Sequence, residues 1–414
     1  MIQIAILGFG VVGSGTAEVL TENKAIIEKK VGQPFHIKYI LDLRDFPDSP
    51  FADRVVHDFN VIVNDPEISL VAEMMGGSHP AYDFTKACLE AGKSVVTSNK
   101  EVVANFGTEL LAIAKAHGVS YEFEASVGGG IPIIRPMNQD LSSNNITAVN
   151  GILNGTTNYI LTKMETEGTP FAEVLKDAQK KGYAEANPTA DVDGFDAMYK
   201  NSILSSLAYK KRVPIHKIYR EGISSVDVKD LKIGRELGYT MKLLAISKHD
   251  GKMTEARVHP AFLPTEHPLS GVKGSFNAVF VHGDNVDDIM LYGRGAGSLP
   301  TGSAIVSDII FAGKTETIRR FSFEEEDVKD DTFATDFSTE YYIRVEASHV
   351  QDASVKVVSA LTKAGVEVVK VLTKDNDLVL LTSTTKESTM QSALDTVRGL
   401  DCVNKIGALV RVER

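Results

Sequence analysis

Apolar and polar positions alternate along the first 125 residues in a repeating order. "MIQIAILGFGVVGSGTAEVL" opens on a strand that is apolar almost throughout, turns at glycines and continues as a helix. A strand apolar on both faces is what a parallel sheet covered by helices requires. "HIKYILDL" and "SLVAEMMGG" repeat the strand pattern, "PAYDFTKACLEAG" has helical spacing up to Gly92, and "KSVVTS" is a further strand. "KEVVANFGTELLAIAKAHG" predicts a helix ended by Gly118, and "VSYEFEA" another strand. Strands alternating with helices imply right-handed crossovers and a parallel sheet.

From about residue 132 the pattern becomes mixed. "NITAVNGILNGTTNYILTKM" predicts a strand, a polar turn over 154–158 and a helix. "GFDAMYKNSILSSLAYKK" predicts a second helix, with Asp193 as its expected N-cap. "GAGSLPTGSAIVSDIIFAG" reads as an apolar helix ending near Gly313. The acidic run "EEEDVKDD", 324–331, reads as a linker. After it the order of patterns is β-α-β-β-α-β. The chain thus divides into 1–132 with a return at about 300–322, a middle unit over 133–299, a linker over 323–337 and a small unit over 338–414.

A chain of 414 residues suits two or three cores. Its net charge of −11 argues against nucleic acid or an anionic membrane as the main partner. Cys88 and Cys402 are the only cysteines, which excludes a disulfide framework or a cysteine zinc site and fits a reducing compartment. Cys88 lies in an expected helix interior, as a small hydrophobe does. No signal peptide and no membrane-length apolar run is present, so a cytoplasmic location is expected.

Gly8, Gly10 and Gly13 form a G-x-G-x-x-G turn between the first strand and the first helix. They permit a tight turn, backbone approach to a pyrophosphate and close helix packing, which predicts a Rossmann-type dinucleotide-binding domain. After the second strand, Asp42 suits a ribose hydroxyl and Arg44 a 2′-phosphate; Arg44 favours NADP over NAD. Three more loops follow expected strands. Gly76 and Gly77 permit close cofactor approach, and Lys100 opens a helix whose dipole it opposes, so an anionic group should compensate it. Glycines 128–130 are either a hinge or a turn that presents oxygen. If 127–131 runs extended, the carbonyls of Val127, Gly129 and Ile131 face one side and, with Glu124, suit a hard monovalent cation.

"GYAEANPTADVDGFDAMYK" concentrates the remaining chemistry. Asp196 and Lys200 are spaced i, i+4, and Ile203 and Leu207 continue their stripe, so the pair points inward. A solvated ion pair is the plain alternative. In this setting Glu185 and Asp196 suit an ammonium, and Lys200 suits proton exchange. Asn154 and Thr156 at the polar turn offer caps or substrate contacts.

The segment resembles the signature of homoserine dehydrogenases at Ala178, Gly182, Tyr183, Ala184, Asn187, Pro188, Asp191, Val192, Gly194, Asp196 and Lys200. "GFGVVGSG", "TSNKE", "EASVGGGIP", "NGILNGTTNYIL" and "GRGAGSLPTGSAIVSD" extend the resemblance over nearly residues 1–320. It implies reversible NAD(P)-dependent interconversion of L-homoserine and L-aspartate 4-semialdehyde, in threonine and methionine biosynthesis. It also implies a middle unit that binds substrate and pairs subunits, as a homodimer or homotetramer. Lys200 is then the proton donor and acceptor, with Asp191 supporting it and Lys100 near substrate and nicotinamide. Glu185, Asp196, Gly182, Asn154 and Thr156 meet substrate. Gly8, Phe9, Gly10, Val11, Val12, Gly13, Arg44, Gly76, Gly77, Ser98, Lys100, Gly182 and Gly302 meet the cofactor, Gly302 standing where the family usually has alanine. Glu124, Val127, Gly129 and Ile131 fall on the family's cation loop, usually filled by sodium. The last unit resembles an ACT domain but lacks the proline–glycine turn at "EASHVQDASVKV". Effector binding, threonine included, and a purely structural or pairing role both stay open for it.

Two other readings compete. Aspartate-semialdehyde dehydrogenase chemistry needs a nucleophilic cysteine in a loop, which neither cysteine supplies. A non-catalytic sensor would have no use for Lys200 beside Asp196 and Glu185.

Overall fold

The computed structural model describes residues 1–314 and 324–414. Residues 315–322 of the expected return and residue 323 of the expected linker lie outside the described residues.

Strands β1 (Ile2–Leu7), β2 (Phe35–Leu41), β3 (Val55–Val56), β4 (Ile68–Glu73), β5 (Ser94–Thr97) and β6 (Tyr121–Glu122) form a parallel sheet. Their order is β3-β2-β1-β4-β5-β6. Helices α1 (Val11–Glu22), α2 (Lys24–Val31), α3 (Asn60–Val63), α4 (Ala81–Glu90) and α5 (Lys100–His117) lie in the connections. Every residue of β1 except Gln3 is buried, so helices cover both faces as the apolar run requires. The strand order reverses between β1 and β4. A crevice opens at such a switch point beyond the strands' carboxyl ends, which is where ligands bind in open parallel sheets. Cys88 is fully buried in α4, and burial pushes its thiol up to about 12, so it is packing material rather than a nucleophile.

The middle unit contains β7 (Ile146–Ile152), α6 (Gly155–Glu167), α7 (Phe171–Lys180), α8 (Thr189–Val192), α9 (Phe195–Tyr209), β8 (Lys211–Arg212), β9 (Tyr219–Arg220) and α10 (Val228–Glu236). Strands β10 (Tyr239–His249), β11 (Thr254–Pro264), β12 (Phe276–Gly283) and β13 (Asp287–Arg294) complete it. The sheet runs β13-β12-β7-β10-β11 with antiparallel pairing. Helix α9 lies on it and is buried along nearly its whole length. Asn201 pins the helix by donating to the carbonyls of Ile246 and Arg257. The expected N-cap is corrected here. Asp193 closes α8, and Gly194, at φ +82°, starts α9 without a side-chain cap. The left-handed turn at Gly194 is what separates the two helices.

Helix α11 (Ser298–Gly313) returns to the first domain and packs along α1. The acidic run is not a free linker: β14 (Glu324–Asp327) pairs in parallel with β8, and Asp327 bridges Arg212 at 3.2 Å. Val328, Phe333 and Phe337 are buried behind it. The last unit has β15 (Ser338–Ala347), α12 (Val350–Lys363), β16 (Val368–Lys374), β17 (Asp377–Thr382), β18 (Thr385–Lys386), α13 (Glu387–Arg398) and β19 (Val403–Val412). That is the expected β-α-β-β-α-β order with the two-residue β18 added. Strand β19 joins β11 in parallel through Ala261–Arg411 and Phe262–Val412, so the two units share one sheet.

Candidate active site

A cleft of about 780 Å³ opens between the parallel sheet and the middle unit. Met74, Gly76, Gly77, Ser98 and Lys100 line one wall; Asn154, Thr156, Gly182, Glu185, Asp191, Asp196 and Lys200 line the other. The loops after β4 and β5 thereby meet the signature segment.

Asp196 is the centre of the floor. It is 8% exposed, as is Lys200. Its Oδ2 accepts from Lys200 Nζ at 2.7 Å, and its Oδ1 pairs with Lys100 Nζ at 3.1 Å. Burial alone would raise this carboxyl, but the two ammoniums outweigh burial and hold it well below the ordinary range. Asp196 in turn holds Lys100 above its usual value. Here is the anionic group that a lysine at the start of α5 needs. Lys200 Nζ also donates to the Leu153 carbonyl at 2.8 Å, which fixes its position from the end of β7.

Asn154 caps α6 by accepting from Thr157 N at 2.8 Å. Its amide nitrogen donates to Asp191 Oδ1 at 2.6 Å and to Asp196 Oδ2 at 2.9 Å. Asp191 thus meets Lys200 through Asn154 and through space, not by direct contact. Burial, then the charge of Asp196, raises the Asp191 carboxyl. Thr156 donates to the Tyr183 carbonyl at 2.6 Å and so ties the Gly182–Glu185 loop to α6. Gly182 takes φ +75°, and Glu185 stands exposed at the rim.

The three glycines of the first turn differ in their surroundings. Gly8 takes φ +89°, and a Cβ on Gly13 would lie 2.0 Å from the Gly8 carbonyl oxygen, so neither position accepts a side chain. Gly10 has open space around it and N-caps α1, whose first amides point outward. Val11 is exposed and Val12 lines the cleft. The Phe9 amide donates to Asp42 at 2.8 Å, and its ring packs edge-on against Phe46. Gly302 is buried in α11, and a Cβ there would lie 2.9 Å from the Gly15 backbone. It packs helix on helix; Arg294, Gly295, Ala296, Gly297 and Thr301 of this segment line the cleft.

Asp42 and Arg44 form a two-pronged pair, with Arg44 Nε and Nη2 each 3.0 Å from a carboxylate oxygen. Arg44, followed by the Phe9 amide, holds the Asp42 carboxyl at about 2 against the effect of burial.

The oxygen loop differs from its expected shape. Gly128 and Gly129 take φ +74° and +53°, so 127–131 turns rather than extends. The Glu124 carboxylate is already used: it accepts from the amides of Ile133, Ile134 and Arg135 at 2.6–2.8 Å. What remains are the main-chain carbonyls of Glu124, Val127, Gly129 and Ile131, all buried, to which no donor is bonded among the described residues. Among these residues no group of three histidine, cysteine or acid side chains is placed to hold a metal.

Sequence reasoning missed two supports. Glu73, buried at the end of β4, accepts from Thr97 and from the Met75 amide. Asn99 caps α5 and donates to the Gly77 carbonyl at 2.7 Å, joining the loops after β4 and β5. Its cap position before "KEVV" was a readable signal; the acid ending an apolar strand was a weaker one.

The family model described as homoserine dehydrogenase, NAD binding domain, matches residues 8–124, and the homoserine dehydrogenase model matches 132–310. Homoserine dehydrogenase of Bacillus subtilis is 37% identical, covering 100% of this chain and 98% of its own. That of Neisseria gonorrhoeae is 36% identical with the same coverage. A solved homoserine dehydrogenase from Thiobacillus denitrificans superposes with a TM-score of 0.94 at 35% identity, covering 100% and 98% of the two chains. A hyperthermophilic archaeal homoserine dehydrogenase in complex with NADPH superposes with a TM-score of 0.66 at 28% identity, over 77% of this chain and 99% of its own. No helix among the described residues is long and apolar enough to cross a membrane. With both halves of its body matched and its full length shared at more than a third identity, the chain belongs to the homoserine dehydrogenase family, the NAD(P)-dependent oxidoreductases acting on homoserine.

Proposed function

We propose that the cleft interconverts L-homoserine and L-aspartate 4-semialdehyde with Lys200 as the proton-exchanging group. The observation that carries this reading is Asp196, a buried carboxylate held between Lys200 and Lys100 at the cleft floor. When bound, the nicotinamide takes or returns the hydride at the substrate carbon. Lys200 gives a proton to the substrate oxygen in reduction and takes it back in oxidation. Asp196 and the Leu153 carbonyl hold Lys200 in place, Asn154 steadies Asp196, and Asp191 adds negative charge behind Asn154. The rim carboxylate of Glu185, with Asp196, receives the substrate ammonium. Lys100 faces the side where nicotinamide and substrate meet.

NADP is the proposed cofactor. Asp42 is an occupied acceptor, bonded by Phe9, by the Arg44 amide and by the Arg44 guanidinium, which leaves it poorly suited to a ribose hydroxyl. Arg44 is 63% exposed and able to meet a 2′-phosphate. The NADPH complex of the archaeal relative agrees with this choice. For the cation we propose sodium on the four unbonded carbonyls, an all-oxygen set of the kind hard cations prefer. The proposed assembly is a homodimer or homotetramer through the middle unit; a monomer mass by light scattering at micromolar concentration would exclude it.

The test is homoserine-dependent reduction of NADP and NAD at alkaline pH, wild type beside Lys200→Ala and Arg44→Ala. Lys200→Ala should lose roughly 100- to 10,000-fold in kcat while still binding cofactor. Arg44→Ala should raise the KM for NADP and leave that for NAD nearly unchanged. Turnover undiminished in Lys200→Ala would end the assignment.

A further inference from the structure

Four cationic side chains line the cleft: Lys100, Lys181, Lys200 and Arg294. Three have carboxylate partners. Lys100 and Lys200 share Asp196, and Lys181 pairs with Asp177 at 3.0 Å. Among the described residues no carboxylate pairs with Arg294.

Arg294 is nonetheless held in place. Its guanidinium stacks 4.3 Å over the Phe276 ring, and Nη1 donates to Ser275 Oγ at 3.2 Å. Its carbonyl accepts from Gly130 N at 3.0 Å, which locks its backbone to the glycine turn. The Ser275–Phe276 segment is itself anchored, because Asn158 donates to the Phe276 carbonyl at 3.0 Å. Ser275 also abuts the polar turn: a Cβ on Gly155 would lie 2.7 Å from the Ser275 carbonyl oxygen. Gly155 follows Asn154, the residue that bonds Asp196. Arg294 is therefore fastened to the substrate side of the cleft, with Nη2 and Nε unassigned.

An α-amino acid carries two charges. Asp196 and Glu185 account for the ammonium, and no cation has yet been set against the carboxylate. We propose that Arg294 binds the α-carboxylate of the substrate and makes that carboxylate a condition of productive binding. A guanidinium fork held by stacking is preorganised for a carboxylate. The proposal rests on the homoserine reading and extends it to the substrate's other end. It places Arg294 in contact with substrate but gives it no part in proton or hydride transfer.

The experiment compares wild type, Arg294→Ala and Arg294→Lys. Two substrates are used, L-homoserine and its carboxylate-free analogue L-homoserinol, and each variant's fold is checked by its melting curve. Arg294→Ala should raise the KM for homoserine about tenfold to a hundredfold, with kcat and the KM for NADP within about twofold, and lysine should restore part of the loss. For homoserinol, wild type and Arg294→Ala should share one kcat/KM. Calorimetric binding of both compounds to the NADP complex gives the same comparison without turnover. Unchanged homoserine affinity in a folded Arg294→Ala would overturn the proposal. A raised KM for NADP with homoserine affinity intact would also overturn it and put the guanidinium on a cofactor phosphate instead. Wild type that binds homoserine through Arg294 yet turns over nothing would strike the activity assignment and leave this one standing.

Discussion

Asp196 shows how one residue sets the character of the site. A buried carboxylate between two ammoniums stays ionised at any working pH. Asp191, two contacts away through Asn154, behaves in the opposite sense. Its raised carboxyl takes a proton above the ordinary carboxylate range, which removes a negative charge from behind Lys200. A group raised by folding favours the native state below its unfolded value, and that stability is lost as pH rises through its folded value. At neutral pH the charged Asp191 is thus a burden on the fold, kept for the site. Asp191→Asn should raise the melting temperature at pH 7 while lowering kcat about tenfold or more, a step of roughly 1.4 kcal/mol in barrier. It should also remove the acid limb of the pH–rate profile that Asp191 contributes. A lower melting temperature in the variant would refute this account. The Asp196–Lys200 pair was legible because i, i+4 spacing and an apolar stripe are local facts. The bonds from Asn154 and from the Leu153 carbonyl were not, since the strand that delivers them is more than forty residues away along the chain.

The contact between α1 and α11 decides how the cofactor wall is built. Both helices approach through glycines, and each leaves no space for a methyl group. A Cβ on Gly15 would lie 2.2 Å from Ser298 Oγ and 2.6 Å from the Ser298 carbonyl oxygen. Ser298 also donates to the Val11 carbonyl at 2.8 Å, so α11 grips the first turn of α1. Gly15→Ala must therefore shift backbone, at a cost of about 1–3 kcal/mol, and carry the α1 N-terminus with it. Denaturant unfolding should show the lost stability, and the KM for NADP should rise while the KM for homoserine holds. Equal stability in the variant would mean the helices separate freely, against this packing. Glycine-rich sequence marks close approach without saying what approaches. Gly8, Gly10 and Gly13 were legible as a turn because a strand precedes them and a helix follows. Gly302 has no such flanking pattern, and its close neighbour is the backbone of α1. Glu124 was legible as an oxygen donor beside the glycine turn, but its bonds to three amides depend on where 133–135 turns.

Across the whole molecule, neither family model reaches past residue 310, so the C-terminal unit lies outside both. It is nevertheless no loose appendage. Strand β19 continues the catalytic sheet, and buried arginines clasp the join from each side. Arg344 of β15 bonds Asp230 of α10 at 2.6 Å and 2.9 Å, and Arg411 of β19 reaches Glu221 at 2.6 Å. Arg257 of β11 bonds Glu413 at 2.5 Å in the reverse direction. The β-α-β-β-α-β order of this unit was legible from alternating patterns. Its fusion was not, because the arginines and their acids are separated by more than a hundred residues. The clasp carries a pH signature. Burial would raise Glu413, but Arg257 and Lys248 pull it down from 4.5 to about 2. A carboxyl depressed by folding contributes stability above its unfolded value, and that contribution is lost as pH falls through its folded value. Glu413→Gln should therefore cost about 3 kcal/mol at pH 7, the free-energy equivalent of that depression, with the full-length chain still unfolding in one transition. The gap between wild type and variant should close between about pH 4.5 and 2 in urea melts across that range. A gap that does not change with pH would mean Glu413 holds the module by shape alone. Separate transitions for the two units would mean the shared sheet does not couple them.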